Sequence, residues 1–188
     1  MSWSAESSDE ELMLGYRDGD AGAFDALYAR HKGGVYRYLL RQCRDAATAE
    51  ELVQDVWMNL IRARAGYTVQ AKFTTYLYRL AHNRLIDHYR RNGHVALVSF
   101  ADEDREEIAE LPDERERPAD DALDARRQAG RLLELIAELP DAQREAFLLQ
   151  QEGGMSVGEI AQATGVNRET AKSRLRYAMA RLRHGMRE

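Results

Sequence analysis

Apolar residues in this chain recur at helical spacing in two blocks, parted by a stretch that is acidic and interrupted by proline. No other feature limits the possible folds as tightly. In the first block Leu12, Tyr16, Phe24, Leu27, Tyr28, Val35, Tyr38, Leu39 and Leu40 follow a helical period, with breaks expected near Asp18-Gly19-Asp20 and Gly33-Gly34. A further helix is expected over 49–63, its apolar face formed by Leu52, Val53, Val56, Trp57, Leu60 and Ile61. In the second block Leu123, Leu132, Leu133, Leu135, Ile136 and Leu139 mark a helix that Pro140 ends, and another follows over 142–152. Leu, Ala, Arg and Glu dominate the composition, and almost nothing alternates as a strand would. The expected fold is all-α: two helical domains, residues 8–94 and 122–188, joined by a flexible acidic linker over 95–121.

The net charge of −5 conceals a segregated distribution. From 167 to 187 the basic residues Arg168, Lys172, Arg174, Arg176, Arg181, Arg183 and Arg187 face only Glu169, and residues 72–91 carry five Lys or Arg against Asp87. Between Asp102 and Asp124, twelve carboxylates outweigh Arg105, Arg115 and Arg117. Two basic segments thus flank an acidic middle, and a linker of about 25 residues could span roughly 80 Å when extended.

The sharpest local signal lies near the C-terminus. Ser156-Val157-Gly158-Glu159 has the form of a capping box, Gly165 suits a left-handed turn, and Asn167 is placed to cap a second helix. This is a helix-turn-helix pattern. Ala171, Leu175, Ala178 and Leu182 form the packing arc of its second helix, and Arg168, Glu169, Lys172, Ser173 and Arg176 are offered outward. Side chains near the start of such a helix reach base edges in the major groove.

Residues 72–91 read as a helix with a buried arc of Phe73, Leu77, Leu80, Ala81 and Leu85 and an opposite arc of Tyr76, Arg79, Asn83 and Arg90. Rings beside cations suit single-stranded DNA, because rings stack on unpaired bases while cations follow the backbone. A core helix with a charged exterior would read the same way.

In order and spacing, nearly end to end, the chain resembles the extracytoplasmic-function sigma factors. The landmarks are Gly19-Asp20 with Ala23-Phe24 and Leu27-Tyr28, Ala49-Glu50-Glu51-Leu52-Val53-Gln54-Asp55-Val56-Trp57, Phe73 to Arg91, Leu139-Pro140 with Arg144-Glu145, and the helix-turn-helix. The resemblance implies that the first domain binds core RNA polymerase and melts the minus-ten promoter element, and that the last reads the minus-thirty-five element. It implies as partners promoter DNA, the clamp helices of the beta-prime subunit, the flap of beta and an anti-sigma factor. It assigns polymerase contact to Glu51, Gln54, Asp55, Met58 and Arg62, and capture of the melted strand to Tyr67, Gln70, Lys72, Phe73, Tyr76, Arg79, Asn83 and Arg90. In the loop, Val69-Gln70-Ala71 departs from the small, acidic residues frequent in the family. The acidic linker would thread towards the RNA channel, or serve as a plain spacer.

Catalysis is not expected. His82 and His88 are six residues apart, which does not bring them together on a helix, and the single Cys43 has no partner, so neither a metal site nor a disulfide is expected. No Gly-rich phosphate loop or nucleophile elbow is present. No cofactor, membrane insertion or secretory signal is expected, which makes the expected location cytoplasmic.

Overall fold

A computed structural model describes Trp3, residues 6–93 and residues 122–187. The acidic linker, expected over 95–121, lies outside the described residues. Among those described, eight α-helices and one 3-10 turn account for the regular structure. The first block forms α1 (Asp9–Arg17), α2 (Ala21–Cys43), α3 (Ala46–Ala63), the 3-10 turn (Arg64–Gly66) and α4 (Phe73–Arg91). The second forms α5 (Ala122–Glu138), α6 (Asp141–Gly153), α7 (Val157–Thr164) and α8 (Arg168–Gly185).

Capping residues set most of these boundaries. Ser8 accepts from the Glu11 amide while the Glu11 carboxylate accepts from the Ser8 amide, closing a capping box on α1. Asp45 accepts from the Thr48 amide at 2.8 Å, so α3 begins three residues earlier than its apolar pattern indicates. The expected break at Gly33-Gly34 does not occur, and α2 runs through both glycines. Their use is close approach: a Cβ on Gly34 would lie 2.7 Å from the Tyr78 hydroxyl and 3.3 Å from the Glu152 carbonyl oxygen.

The two blocks pack directly on each other. Helix α2 lies against α6, and α4 lies against α7, so a continuous set of buried residues runs from Leu12 to Leu182. Within the first block Leu12, Leu27, Val35, Leu39, Leu60, Leu77 and Leu85 are wholly buried. Between the blocks polar contacts join this buried apolar set: Tyr38 donates to Glu145 Oε1 at 2.7 Å, and His82 Nδ1 lies 2.7 Å from the same oxygen. Arg37 and Arg41 both grip Glu152, at 2.8 and 2.6 Å, and Arg144 donates to the Gln42 side chain. None of the described helices is long and apolar enough to cross a membrane.

Candidate nucleic-acid interface

Helix α7 carries both halves of its capping box, with Glu159 accepting from the Ser156 amide at 2.8 Å and Ser156 accepting from the Glu159 amide. Gly165 turns the chain at φ 72°, and Asn167 accepts from the Thr170 amide to start α8. The turn therefore follows the geometry read from its residues. Arg168, Glu169, Lys172 and Arg176 are exposed on α8 and Ser173 is half-buried, giving one polar arc near the helix start. The Arg176 guanidinium lies over the Tyr177 ring, 5.0 Å from its centroid. Arg174 is different: it is 3 % exposed and its charge acts on His82 and Glu145. Its position relative to Ala171, Leu175 and Ala178 already places it on the packing arc.

The second surface belongs to α4 and the loop before it. Tyr76 is half-buried, and Arg79, Asn83 and Arg90 are exposed along the helix. Beside them lies a cavity of about 420 Å³ lined by Tyr67, Thr68, Gln70, Thr75, Tyr76 and Arg79, large enough for a nucleobase. The Tyr67 and Tyr76 rings stand 5.3 Å apart at its wall. Burial raises the Tyr67 hydroxyl to a pKa of about 12, so it stays protonated. Helix α1 braces this region, because Glu10 accepts from the Phe73 amide at 2.6 Å and Arg17 donates to the Tyr67 carbonyl. The Glu10 carboxylate supplies the cap that Lys72 does not. A separate hollow across the loop is lined by Asp9, Glu10 and Lys72, so charges of both signs meet there.

One expectation for strand contact changes here. Phe73 is wholly buried, its ring against that of His31, so it anchors the start of α4 and does not face the exposed stripe. Tyr67 is 6 % exposed and serves as cavity wall. Lys72 is exposed, but its ammonium already pairs with Glu159 of α7 at 2.9 Å.

On α3, Glu51, Gln54, Met58 and Arg62 are exposed and Asp55 is half-buried. Met58 is 45 % exposed, and Tyr28 on α2 is 39 % exposed with its ring edge-on to Trp57 of α3. The result is a mixed apolar and charged patch of the sort that docks a protein partner.

Sequence reading missed the chemistry between the blocks. Burial disfavours charge on both His82 and Glu145, yet their mutual attraction and hydrogen bond outweigh it, raising the histidine pKa and lowering that of the carboxylate. Only the presence of charged Arg144-Glu145 beside the apolar Phe147, Leu148 and Leu149 hinted at a buried pair. Among the described residues, no group of three or more His, Cys, Asp or Glu is placed to hold a metal ion.

Comparison with known proteins agrees with this layout. The family model for Sigma-70 region 2 matches residues 27–95, and that for Sigma-70, region 4 matches residues 129–182. The chain is 31 % identical over 171 residues to the RNA polymerase sigma factor CarQ of Myxococcus xanthus, covering 91 % of this chain and 93 % of that protein. It is 32 % identical to the ECF RNA polymerase sigma factor SigK of Mycolicibacterium vanbaalenii, covering 87 % and 82 % of the two chains. Its fold matches CnrH in complex with the cytosolic domain of CnrY, at TM-score 0.66 and 21 % identity over 95 % of this chain and 96 % of the other. A further match is RpoE in complex with the anti-sigma factor NepR from Bartonella quintana, at TM-score 0.63 and 20 % identity over 87 % and 96 %. With an exposed basic arc at a helix start on one block, a cavity and aromatic-cationic stripe on the other, and relatives matched over nearly its whole length, the chain belongs to the extracytoplasmic-function RNA polymerase sigma factors.

Proposed function

We propose a division of labour in which residues 8–94 bind core polymerase and hold the melted minus-ten strand, while residues 122–188 read the minus-thirty-five duplex. The pairing of two unlike nucleic-acid surfaces carries this reading: exposed Arg168, Lys172 and Arg176 at a helix start, and a base-sized cavity beside Tyr76, Arg79 and Asn83. Duplex grooves accept a helix terminus, whereas unpaired bases need rings and an enclosure. Removing a base from its stack costs a few kcal/mol, which a cavity walled by Tyr67 and Tyr76 can offset.

The α3 patch of Glu51, Gln54, Asp55, Met58 and Arg62 is the surface for the clamp helices of the beta-prime subunit, and the flap of beta meets the second block. Phosphodiester chemistry belongs to the core enzyme, and this chain supplies position and specificity. An anti-sigma factor is the expected regulator, in keeping with the complex that one fold relative forms with NepR.

Run-off transcription with purified core polymerase over a fragmented genomic library tests the reading. Discrete transcripts that require this chain are expected, along with weak binding to the same fragments by the chain alone, since linked weak contacts gain strength only when held together. Tight, specific duplex binding without polymerase, and no transcripts with it, would point instead to an autonomous repressor or activator.

A further inference from the structure

We propose that Trp3 is a positioning residue for the strand cavity: seated in a slot between α1 and α2, it sets where α1 stands, and α1 in turn holds the loop over 67–72. The inference rests on the reading of the cavity beside α4 as the strand-binding site, and it assigns part of that site's shape to a residue that does not line it.

The slot fits an indole. A Cβ on Gly15 of α1 would overlap the six-membered part of the Trp3 ring, and one on Gly22 of α2 would lie 3.8 Å from its Cδ1. The indole N–H donates to Asp20 Oδ2 at 3.0 Å, while Asp20 Oδ1 accepts from the Gly22 amide at 2.9 Å and caps α2. The Asp20 amide donates to the Gly15 carbonyl at 3.0 Å, so one residue fastens the ring, the end of α1 and the start of α2. Two glycines and an acceptor thus admit a large planar donor where any side chain on α1 would exclude it.

The other flank of α1 ties this slot to the cavity. At about 100° per residue, Gly15 lies on the side of α1 away from Glu10 and Arg17. Those two residues hold the loop at both ends: Glu10 accepts from the Phe73 amide at 2.6 Å, and Arg17 donates to the carbonyl of Tyr67, a cavity wall. The start of α1 has its own tie to α2, since Arg30 and His31 both reach Asp9, at 2.9 and 2.7 Å. Its end is tied to α2 by Asp20 with Trp3. Loss of the indole therefore loosens the Arg17 end, and with it the wall at Tyr67.

The test uses the full chain at low salt, with fluorescence anisotropy of a fluorescein-labelled 12-nucleotide single-stranded pool of random sequence and of a random 20-base-pair duplex. Trp3→Ala is expected to weaken single-strand binding roughly three- to tenfold and to leave duplex binding unchanged, since the exposed arc of α8 is untouched. Trp3→Phe, which fills the slot without the N–H, gives a smaller loss and keeps the comparison readable should Trp3→Ala lose helical circular dichroism. Gly15→Ala evicts the ring and reproduces the Trp3→Ala loss. The double variant Trp3→Ala/Gly15→Ala is expected to bind no worse than either alone, because both changes empty the same slot. Equal losses for single strand and duplex, or additive losses in the double variant, mean general destabilisation and overturn the proposal. Unchanged single-strand affinity in Trp3→Ala, together with a loss in Arg79→Ala, overturns it and leaves the strand site standing. If Arg79→Ala also has no effect, the positioning role and the reading of the cavity fall together.

Discussion

The interior of the first block is almost wholly apolar, whereas the contact between blocks adds buried polar groups to the shared apolar core. Inside the first block the wholly buried positions include Leu12, Leu27, Val35, Leu39, Leu60, Phe73, Leu77 and Leu85. Between the blocks lie Tyr38, Gln42, His82, Arg144, Glu145 and Glu152, joined by hydrogen bonds and ion pairs. An apolar core is costly to open, because separation exposes hydrocarbon to water. A polar contact is cheaper to open, because each group that loses a protein partner regains water. The polar groups therefore make the contact between blocks more specific and less costly to open than an apolar contact of the same extent.

Truncation inverts that ease, since a group left buried without its partner regains nothing. Glu145→Ala strands the Tyr38 hydroxyl and His82 and is expected to weaken docking by about 3–5 kcal/mol. The blocks then separate without unfolding: the radius of gyration rises in small-angle scattering while helical circular dichroism holds. Leu27→Ala, inside a block, is expected to cost about 2–5 kcal/mol in urea unfolding and to reduce helicity along with stability. If Glu145→Ala instead melted the helices, the contrast between the two materials would be lost.

A smaller effect separates two adjacent glycines. Gly34→Ala drives a Cβ against the Tyr78 hydroxyl and the Glu152 carbonyl and is expected to weaken docking by about 1–3 kcal/mol. Gly33→Ala meets only the flexible end of Arg37, so helix propensity should raise stability by up to about 1 kcal/mol. Thermal unfolding of the two variants should move in opposite directions.

Acidity acts more gently on the same contact. His82 holds its proton more tightly in the docked form, so its contribution is complete below its ordinary value of 6.5 and fades as pH rises through the raised value. Glu145 contributes fully above its ordinary value of 4.5, and that part is lost as pH falls through the lowered value. Docking is expected to be firmest between pH 4.5 and 6.5. Arg174 and the Tyr38 hydroxyl face the pair, and burial pushes the Tyr38 hydroxyl well above its ordinary value, so it stays protonated across this range. A scattering titration checks this, and His82→Asn should flatten its alkaline limb.

Much of the architecture is legible in the sequence because local chemistry specifies it. Ser156 with Glu159, Gly165 and Asn167 each act within a few residues, and each does in the structure what its type implies. The same kind of signal at Ser8 with Glu11, and at Asp45, was there to be read and sets the starts of α1 and α3. Gly33-Gly34 resembles a break only when the partner that needs the space is out of view, and that partner is Tyr78 with Glu152. Arg174 and Phe73 differ, since helical spacing already sets Arg174 on the packing arc and Phe73 on the buried arc, and only the resemblance assigned Phe73 to the strand. Tyr38 and Glu145 meet across 107 residues, and no local periodicity encodes such a pairing.

The distance between the blocks during initiation is the measurement that bears most directly on the account. Dyes at Ala47→Cys and Arg187→Cys, in a Cys43→Ser background, report it by energy transfer on exposed sites. With core polymerase and a genomic fragment that supports run-off, transfer is expected to fall from its value in the free chain as transcript forms. Undiminished transfer in a transcribing complex would mean that the blocks work while docked, and the account would be contradicted.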